Sequence, residues 1–305
     1  MLGTLMHTSR SRALSVLAVL IAGMLPLYAN ARELRVCADP NNLPFSNERG
    51  EGFENKIAEL IAQELDARIN YTWWAERRGF IRNTLNADAC DLVPGTTNGI
   101  EMLRTTRPYY RSGFAFVTRA DGPQIFSLDD PALRQMKIGI QLIGEDGSNP
   151  PPAEALARRG LIDNVRGYSV YGDYRDDAPA SAIVDAVAKG DIDAAIVWGP
   201  VAGYFASREP VPLRVTLVTP QNDGPRLPMV FDIDMGVRRD DPQLRDEING
   251  ALARLQPRID AVLASYNVPR ADLPVDVQAE RGAPLSHGDV ALRHRDHPRF
   301  DQSGN

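Results

Sequence analysis

Histidine is nearly missing from this chain. His7 lies near the start, and His287, His294 and His297 lie close to the end, so residues 8–286 hold none. A Ser-His or Cys-His nucleophilic scheme would have to recruit a terminus. His294 and His297 are three residues apart, but Arg, Asp and Pro surround them as in a solvated tail. Lysine is scarce too: Lys56, Lys137 and Lys189 are the only three among 34 basic residues, against 40 acidic ones. A chain of net charge −6 without a Lys/Arg cluster is a poor partner for nucleic acid. The two cysteines, Cys37 and Cys90, cannot supply a four-ligand zinc site. No GxGxxG, P-loop or CxxCH stretch occurs, and no spacing among the acids singles out a glycosidase-like carboxylate pair. No apolar run reaches the about 20 residues of a membrane-spanning helix.

What is present is an ordinary globular balance, 43% hydrophobic and 24% charged, enough for one large or two medium units with real cores. The first 31 residues stand apart. Arg10 and Arg12 are their only charges, an uncharged apolar run covers 13–27, and Ala29-Asn30-Ala31 is a small-x-small site. This pattern predicts a secretory signal peptide (1–31) cleaved after Ala31. Loss of two arginines takes the net charge from −6 to −8. In a bacterium the mature chain is then periplasmic, with no membrane span. An oxidising compartment and an even count favour a Cys37–Cys90 disulfide over two buried thiols.

The pattern reads as α/β. Strands are expected at 34–38, 69–74 and 91–94, with helices at 53–65 and 80–87 between them. That β-α-β-α-β order implies a parallel sheet in which the first and third strands are neighbours, bringing Cys37 and Cys90 together. A second α/β pattern has strands at 137–141, 165–171 and 192–198 and helices at 152–159 and 181–189. Extended runs at 112–119 and 230–237 join the two. A helix begins at Pro242, is expected to break at Pro257 and resumes to Tyr266. The resulting body is two-lobed, each lobe a mainly parallel sheet flanked by helices, with two hinge crossings. Expected boundaries are 32–118 plus 231–272 for lobe 1, 119–230 for lobe 2, and a 273–305 tail. Ligands sit beyond the carboxyl ends of strands in such sheets, which nominates loops 39–45, 95–99, 144–149 and 198–200.

Six pieces carry a resemblance: LRVCADPNNLPFSN, GFENKIAELIAQELDA, ADACDLVPGTT, RPYYRSGFAFVTR, KGDIDAAIVWGPVAGYFA and the helix before YNVP. Together they resemble the type II periplasmic solute-binding proteins of the polar amino-acid group over about residues 34–270. In that group an arginine after the glycine-threonine loop grips the ligand α-carboxylate, and an aspartate holds its α-ammonium. Met102 and Trp198 fall at those positions here, and neither supplies a charge-assisted bond. Arg104 would replace the arginine only if the loop slips. TWWAERRGFIRNTL, GEDGSNPPPAEALARRGLIDNVRGYSVYGDY and IVWGPVAGYF resemble one branch more closely. These are the solute-binding-like proteins encoded with quinoprotein (PQQ-dependent) methanol dehydrogenases, the J component of methanol-oxidation clusters. The branch implies a non-catalytic accessory role in maturing the dehydrogenase by protein contact, its cytochrome c being a further candidate partner, with no cofactor. The alternative is an ABC-transporter solute-binding protein for a small ligand other than an α-amino acid. An enzyme is disfavoured by the histidine-free body.

Candidate cleft residues are Asp39, Phe45, Thr96, Thr97, Met102 and Trp198. Asp39 and Phe45 would give a polar contact and an aromatic wall, or else a turn and loop packing. Thr96 and Thr97 offer hydroxyls to a ligand or cap a helix. Trp198 would stack on a flat ligand, plug the cleft or meet a partner. Trp73 and Trp74 point opposite ways on a strand, one to the core and one out. With Tyr171 and Tyr174 they are the candidate partner contacts. The segments 144–152 and 172–179 read as docking loops or solvated connections. Asp173, Asp176 and Asp177 invite calcium, but the EF-hand spacing is missing.

Overall fold

The computed structural model describes residues 32–142, 149–171 and 173–272. The expected leader, most of the 144–152 loop and the 273–305 tail lie outside them. Strands β1 (Arg32–Ala38), β4 (Ala67–Trp73) and β5 (Leu92–Thr97) lie in the order β4-β1-β5, all parallel. Two short strands, β2 (Asn41–Asn42) and β3 (Ser46–Asn47), pin the loop after β1 into a hairpin. Helix α1 (Phe53–Glu64) packs Phe53, Ile57 and Ile61 onto the sheet. Its start is tied by Asn55, whose Oδ1 accepts the N–H of Gly52 and of Asn47, each at 3.1 Å. The expected 80–87 helix is interrupted. Helix α2 (Phe80–Asn83) stops where the Thr84 hydroxyl donates to the Phe80 carbonyl at 2.6 Å, and a 3-10 turn (Leu85–Ala87) follows.

The second sheet has β8 (Ile138–Leu142) between β9 (Val165–Ser169) and β10 (Ala194–Trp198), again parallel. Helices α3 (Pro151–Arg158) and α4 (Ala182–Lys189) flank it. Pro151 and Pro152 begin α3 rather than extending the loop, because the first turn needs no backbone donor.

Two strands carry the chain between the sheets. In β7 (Tyr110–Arg119), residues Tyr110 to Gly113 pair with β12 (Val230–Val237). From Phe114 onward β7 pairs instead with β10 and with β11 (Leu213–Leu217). Strand β12 returns to the first sheet, antiparallel to β5 and to the short β6 (Arg104–Thr105). The result is the two-lobed α/β architecture with flanking helices and two crossings.

Three elements depart from expectation. Helix α6 (Pro242–Ser265) runs unbroken through Pro257. Leu252, Leu255, Ile259 and Leu263 are buried on both sides of the proline. At about 1.5–3 kcal/mol per buried aliphatic side chain, they outweigh the about 3 kcal/mol cost of an interior proline. Helix α5 (Gly199–Ala206) and strand β11 carried no periodicity to announce them. All eight residues of α5 are buried, so it shows no polar face. It approaches the turn after α6 closely, since a Cβ on Gly203 would lie 1.9 Å from the Asn267 carbonyl oxygen.

Candidate functional site

The carboxyl ends of β4, β1 and β5 lie side by side, so the loops after them form one rim. Asp39 follows β1, Glu76 lies three residues beyond β4, and Gly95–Thr97 end β5. The carboxyl ends of β9 and β10 supply the other lobe, with Tyr171 and Tyr174 beyond the first and Trp198 closing the second. The sequence reading reached this rim through loops 39–45 and 95–99. The same rule applied to β4 would have nominated 74–77.

Asp39 is 2% exposed, and its carboxylate is fully engaged. Oδ1 accepts the Asn41 N–H at 2.8 Å, and Oδ2 accepts the Glu76 N–H at 2.6 Å. Across the cleft, the Tyr174 hydroxyl donates to the same Oδ2. Asn41 Nδ2 donates to the carbonyls of Tyr174 (3.3 Å) and Asp176 (2.7 Å). The Arg77 guanidinium covers the rings of Tyr171 (5.4 Å) and Tyr174 (4.7 Å). Burial and the Asp39 bond together hold the Tyr174 hydroxyl protonated, well above its ordinary value. These contacts clasp the lobes: Asp39 Oδ2 is taken across the cleft and Oδ1 by its own loop.

Trp198 wedges the hinge. Its ring meets Phe114 of β7 at 5.5 Å and Phe231 of β12 at 5.9 Å, both edge to face. It packs against the cores of both lobes, and its backbone N–H donates to the buried Gln141 at 3.1 Å. Phe45 stands on Phe53 (5.3 Å) and likewise touches both cores. A tryptophan at the end of β10 therefore fills space between the sheets.

Behind the clasp lie carboxylates that no cation among the described residues pairs with. Glu54 is 8% exposed, and among the described residues its carboxyl has no hydrogen bond. Its Oε1 lies over Gly95, whose φ of +68° leaves no room for a side chain: a Cβ there would be 2.1 Å from that oxygen. Burial, and secondarily the charge of Glu76, hold the Glu54 carboxyl protonated far above the ordinary range. Burial and then Asp39 push Glu76 up to about 7, although Asn42 Nδ2 donates to it at 3.3 Å. Asp234 on β12 rises to about 6 through burial and the neighbouring Asp232, and its Oδ1 has no partner. The buried Tyr109 hydroxyl is also unpartnered.

The remaining candidates scatter. Thr96 is buried, its hydroxyl donating to the Asp234 carbonyl at 3.3 Å, and Thr97 is half-buried beside it. Met102 is 42% exposed, in a turn where Arg239 donates to the Glu101 carbonyl at 2.8 Å. Arg104 also faces solvent, donating to the Arg239 carbonyl at 3.2 Å. Trp73 stacks on Tyr71 (4.6 Å), whereas Trp74 is exposed. Cys37 and Cys90 form the disulfide, Cα atoms 5.6 Å apart, joining β1 to the entry of β5. Among the described residues no group of acids, histidines or cysteines is placed to hold a metal ion, and Asp173 is held by Arg175. Glu54, Glu76, Asn41 and Arg77 are the site residues that sequence reasoning missed.

The model of the bacterial extracellular solute-binding proteins, family 3, matches residues 34–266. The chain belongs to this family. Within family 3 it is 33% identical over 260 residues to Protein MoxJ of Paracoccus denitrificans, covering 80% of this chain and 91% of that protein. Protein MoxJ of Methylorubrum extorquens is also 33% identical, over 79% and 82% of the two chains. The crystal structure of the periplasmic binding protein XoxJ from Methylobacterium extorquens AM1 matches with a TM-score of 0.65 at 35% identity, covering 79% of this chain and all of that one (100%). MxaJ from Methlophaga aminisulfidivorans MPT gives 0.65 at 29% identity, covering 78% and 99%. An ancestral cationic amino acid solute-binding protein, 22% identical at a TM-score of 0.58 over 77% and 95%, shares the fold alone.

Proposed function

We propose that this chain is a non-catalytic periplasmic accessory protein that binds a PQQ-dependent methanol dehydrogenase and assists its maturation. Its N-terminal segment directs export and is removed. The observation that carries the reading is the clasped cleft. Where family 3 captures solutes, the two lobes are clasped by Asp39–Tyr174 and wedged by Trp198, and Asp39 and Asn41 are spent on partners across the cleft. A protein that keeps the fold but closes its own site acts through its surface. The likeness to MoxJ, XoxJ and MxaJ over nearly their full lengths supports the same direction. The test is calorimetric titration of residues 32–305 into apo and holo dehydrogenase. Preferential binding to the apo form is expected. No binding to either at up to about 100 μM, or about −5.5 kcal/mol, contradicts the reading.

A second reading has its own observation. The unpartnered Glu54 carboxyl and Tyr109 hydroxyl would be satisfied by a small polar or cationic solute delivered to an ABC transporter. A thermal-shift panel of amino acids, organic acids and amines tests it, and a rise in Tm with any of them favours it.

A further inference from the structure

The stretch from Trp74 to Arg82, leaving β4 and entering α2, presents an unusual surface. Trp74 is 47% exposed although its N–H is anchored to the Ala38 carbonyl at 3.0 Å. Arg77, Arg78 and Arg82 are all exposed. Some arginines are matched to carboxylates: Arg35 holds Asp88 and Asp91, Arg159 holds Asp129 and Asp223, and Arg270 holds Asp260 and Asp272. Among the described residues Arg77, Arg78 and Arg82 have no ion pair. The one acid in the stretch, Glu76, turns inward to Asn42 and to the charge of Asp39. A count along the sequence therefore hides three uncompensated positive charges, on a chain whose net charge is −6. Arg77 lies over the rings of Tyr171 and Tyr174, so the clasped lobes fix the patch in place.

An exposed tryptophan followed within eight residues by three exposed arginines without ion pairs has the composition of an interface hot spot. We propose that the Trp74–Arg82 surface docks an acidic protein surface, whose carboxylates pair with Arg78 and Arg82 around an apolar recess that takes the Trp74 indole. The inference rests on the accessory-protein reading and places its contact. Opposite charges outside the contact raise the encounter rate, whereas the carboxylate pairs set partner choice. An anionic bilayer fits less well, since lipid-recognising clusters carry about four to eight basic residues.

The experiment uses the exported chain and four variants: the double charge reversal Arg78→Glu/Arg82→Glu, the charge-conserving Arg78→Lys/Arg82→Lys, Trp74→Ala, and Ile162→Ala. Ile162, 61% exposed on the other lobe, is the control. Each is titrated into apo dehydrogenase at about 50 and about 300 mM salt. Unaltered circular dichroism and melting confirm folding. The expected result is a loss of about tenfold or more for the reversal and for Trp74→Ala. The reversal also flattens the salt dependence, while the lysine pair and Ile162→Ala stay within about threefold of wild type. Wild-type binding with the reversal and Trp74→Ala unaffected overturns the docking surface and leaves the accessory reading standing. A silent wild-type titration overturns both. Phosphatidylethanolamine–phosphatidylglycerol vesicles are the last arm. Patch-dependent vesicle binding alongside patch-independent dehydrogenase binding assigns the surface to the bilayer and overturns the proposal.

Discussion

Replacing Glu76 by glutamine is expected to stabilise the protein above neutral pH. The half-buried Glu76 carboxyl is pushed up to about 7, from an ordinary 4.5, by desolvation and then by Asp39. A carboxyl raised on folding contributes stability that is fully present below its unfolded pKa and is lost as pH rises through the folded one. The window is therefore about pH 4.5 to 7. Across it the wild type loses about 3 kcal/mol through this group, since each tenfold change in proton affinity is worth about 1.36 kcal/mol. Glutamine keeps an acceptor for Asn42 and removes both the charge and the repulsion from Asp39. At pH 8.5 the variant should melt about 6–12 °C higher, taking about 2–4 °C per kcal/mol for a domain this size. At pH 4.5 the two should nearly coincide. Glu54, raised well above the ordinary range, and Asp234 at about 6 act in the same direction in both proteins, so a residual slope remains in the variant. Carboxylates whose values are lowered, such as Asp91 beside Arg35, act only below about pH 4, outside this window. Urea unfolding between pH 4.5 and 8.5 is the assay. An unchanged slope, or a variant less stable than wild type at pH 8.5, would refute the burial argument.

Gly95→Ala should cost about 2–4 kcal/mol, from a Cβ driven onto Glu54 Oε1 and a left-handed backbone. Adding Glu54→Ala should recover part of the loss in a double-mutant cycle, and additive losses would contradict the contact. Cys37→Ser/Cys90→Ser should lower stability by about 4 kcal/mol, from a closed loop spanning 53 residues, measured against wild type under non-reducing conditions. Tyr174→Phe removes the Asp39 bond across the cleft and leaves those of Asn41. Small-angle scattering should then show a larger radius of gyration, and a curve identical to wild type would mean that Trp198, Phe45 and the Asn41 and Arg77 contacts keep the lobes together without it.

The architecture was legible where periodicity and order carried it. The β1-α1-β4 pattern, the extended runs at β7 and β12, and two cysteines on strands predicted as neighbours gave the lobes, the crossings and the bridge. What escaped had no local signal. Helix α5 is apolar all round and opens on Gly-Pro, and the stability of α6 across Pro257 comes from leucines and isoleucines buried elsewhere in space. The site was half legible. Asp39, Phe45, Thr96 and Trp198 were nominated by strand ends and by the family pattern. Glu54 and Glu76 were not, because a glutamate in sequence reads as a solvent-facing charge. Tyr174 stood among the partner contacts, yet it reaches Asp39 from 135 residues away, a pairing only the tertiary fold creates.

The central claim is that the chain works on another protein and not by carrying a solute in its cleft. The most direct measurement is the yield of active dehydrogenase when apo enzyme is reconstituted with PQQ and metal, with and without one equivalent of this chain. The account predicts a higher yield or faster activation with the wild type, diminished by Arg78→Glu/Arg82→Glu. Equal activation in its presence and absence, together with a small solute that raises the Tm of this chain, would contradict it.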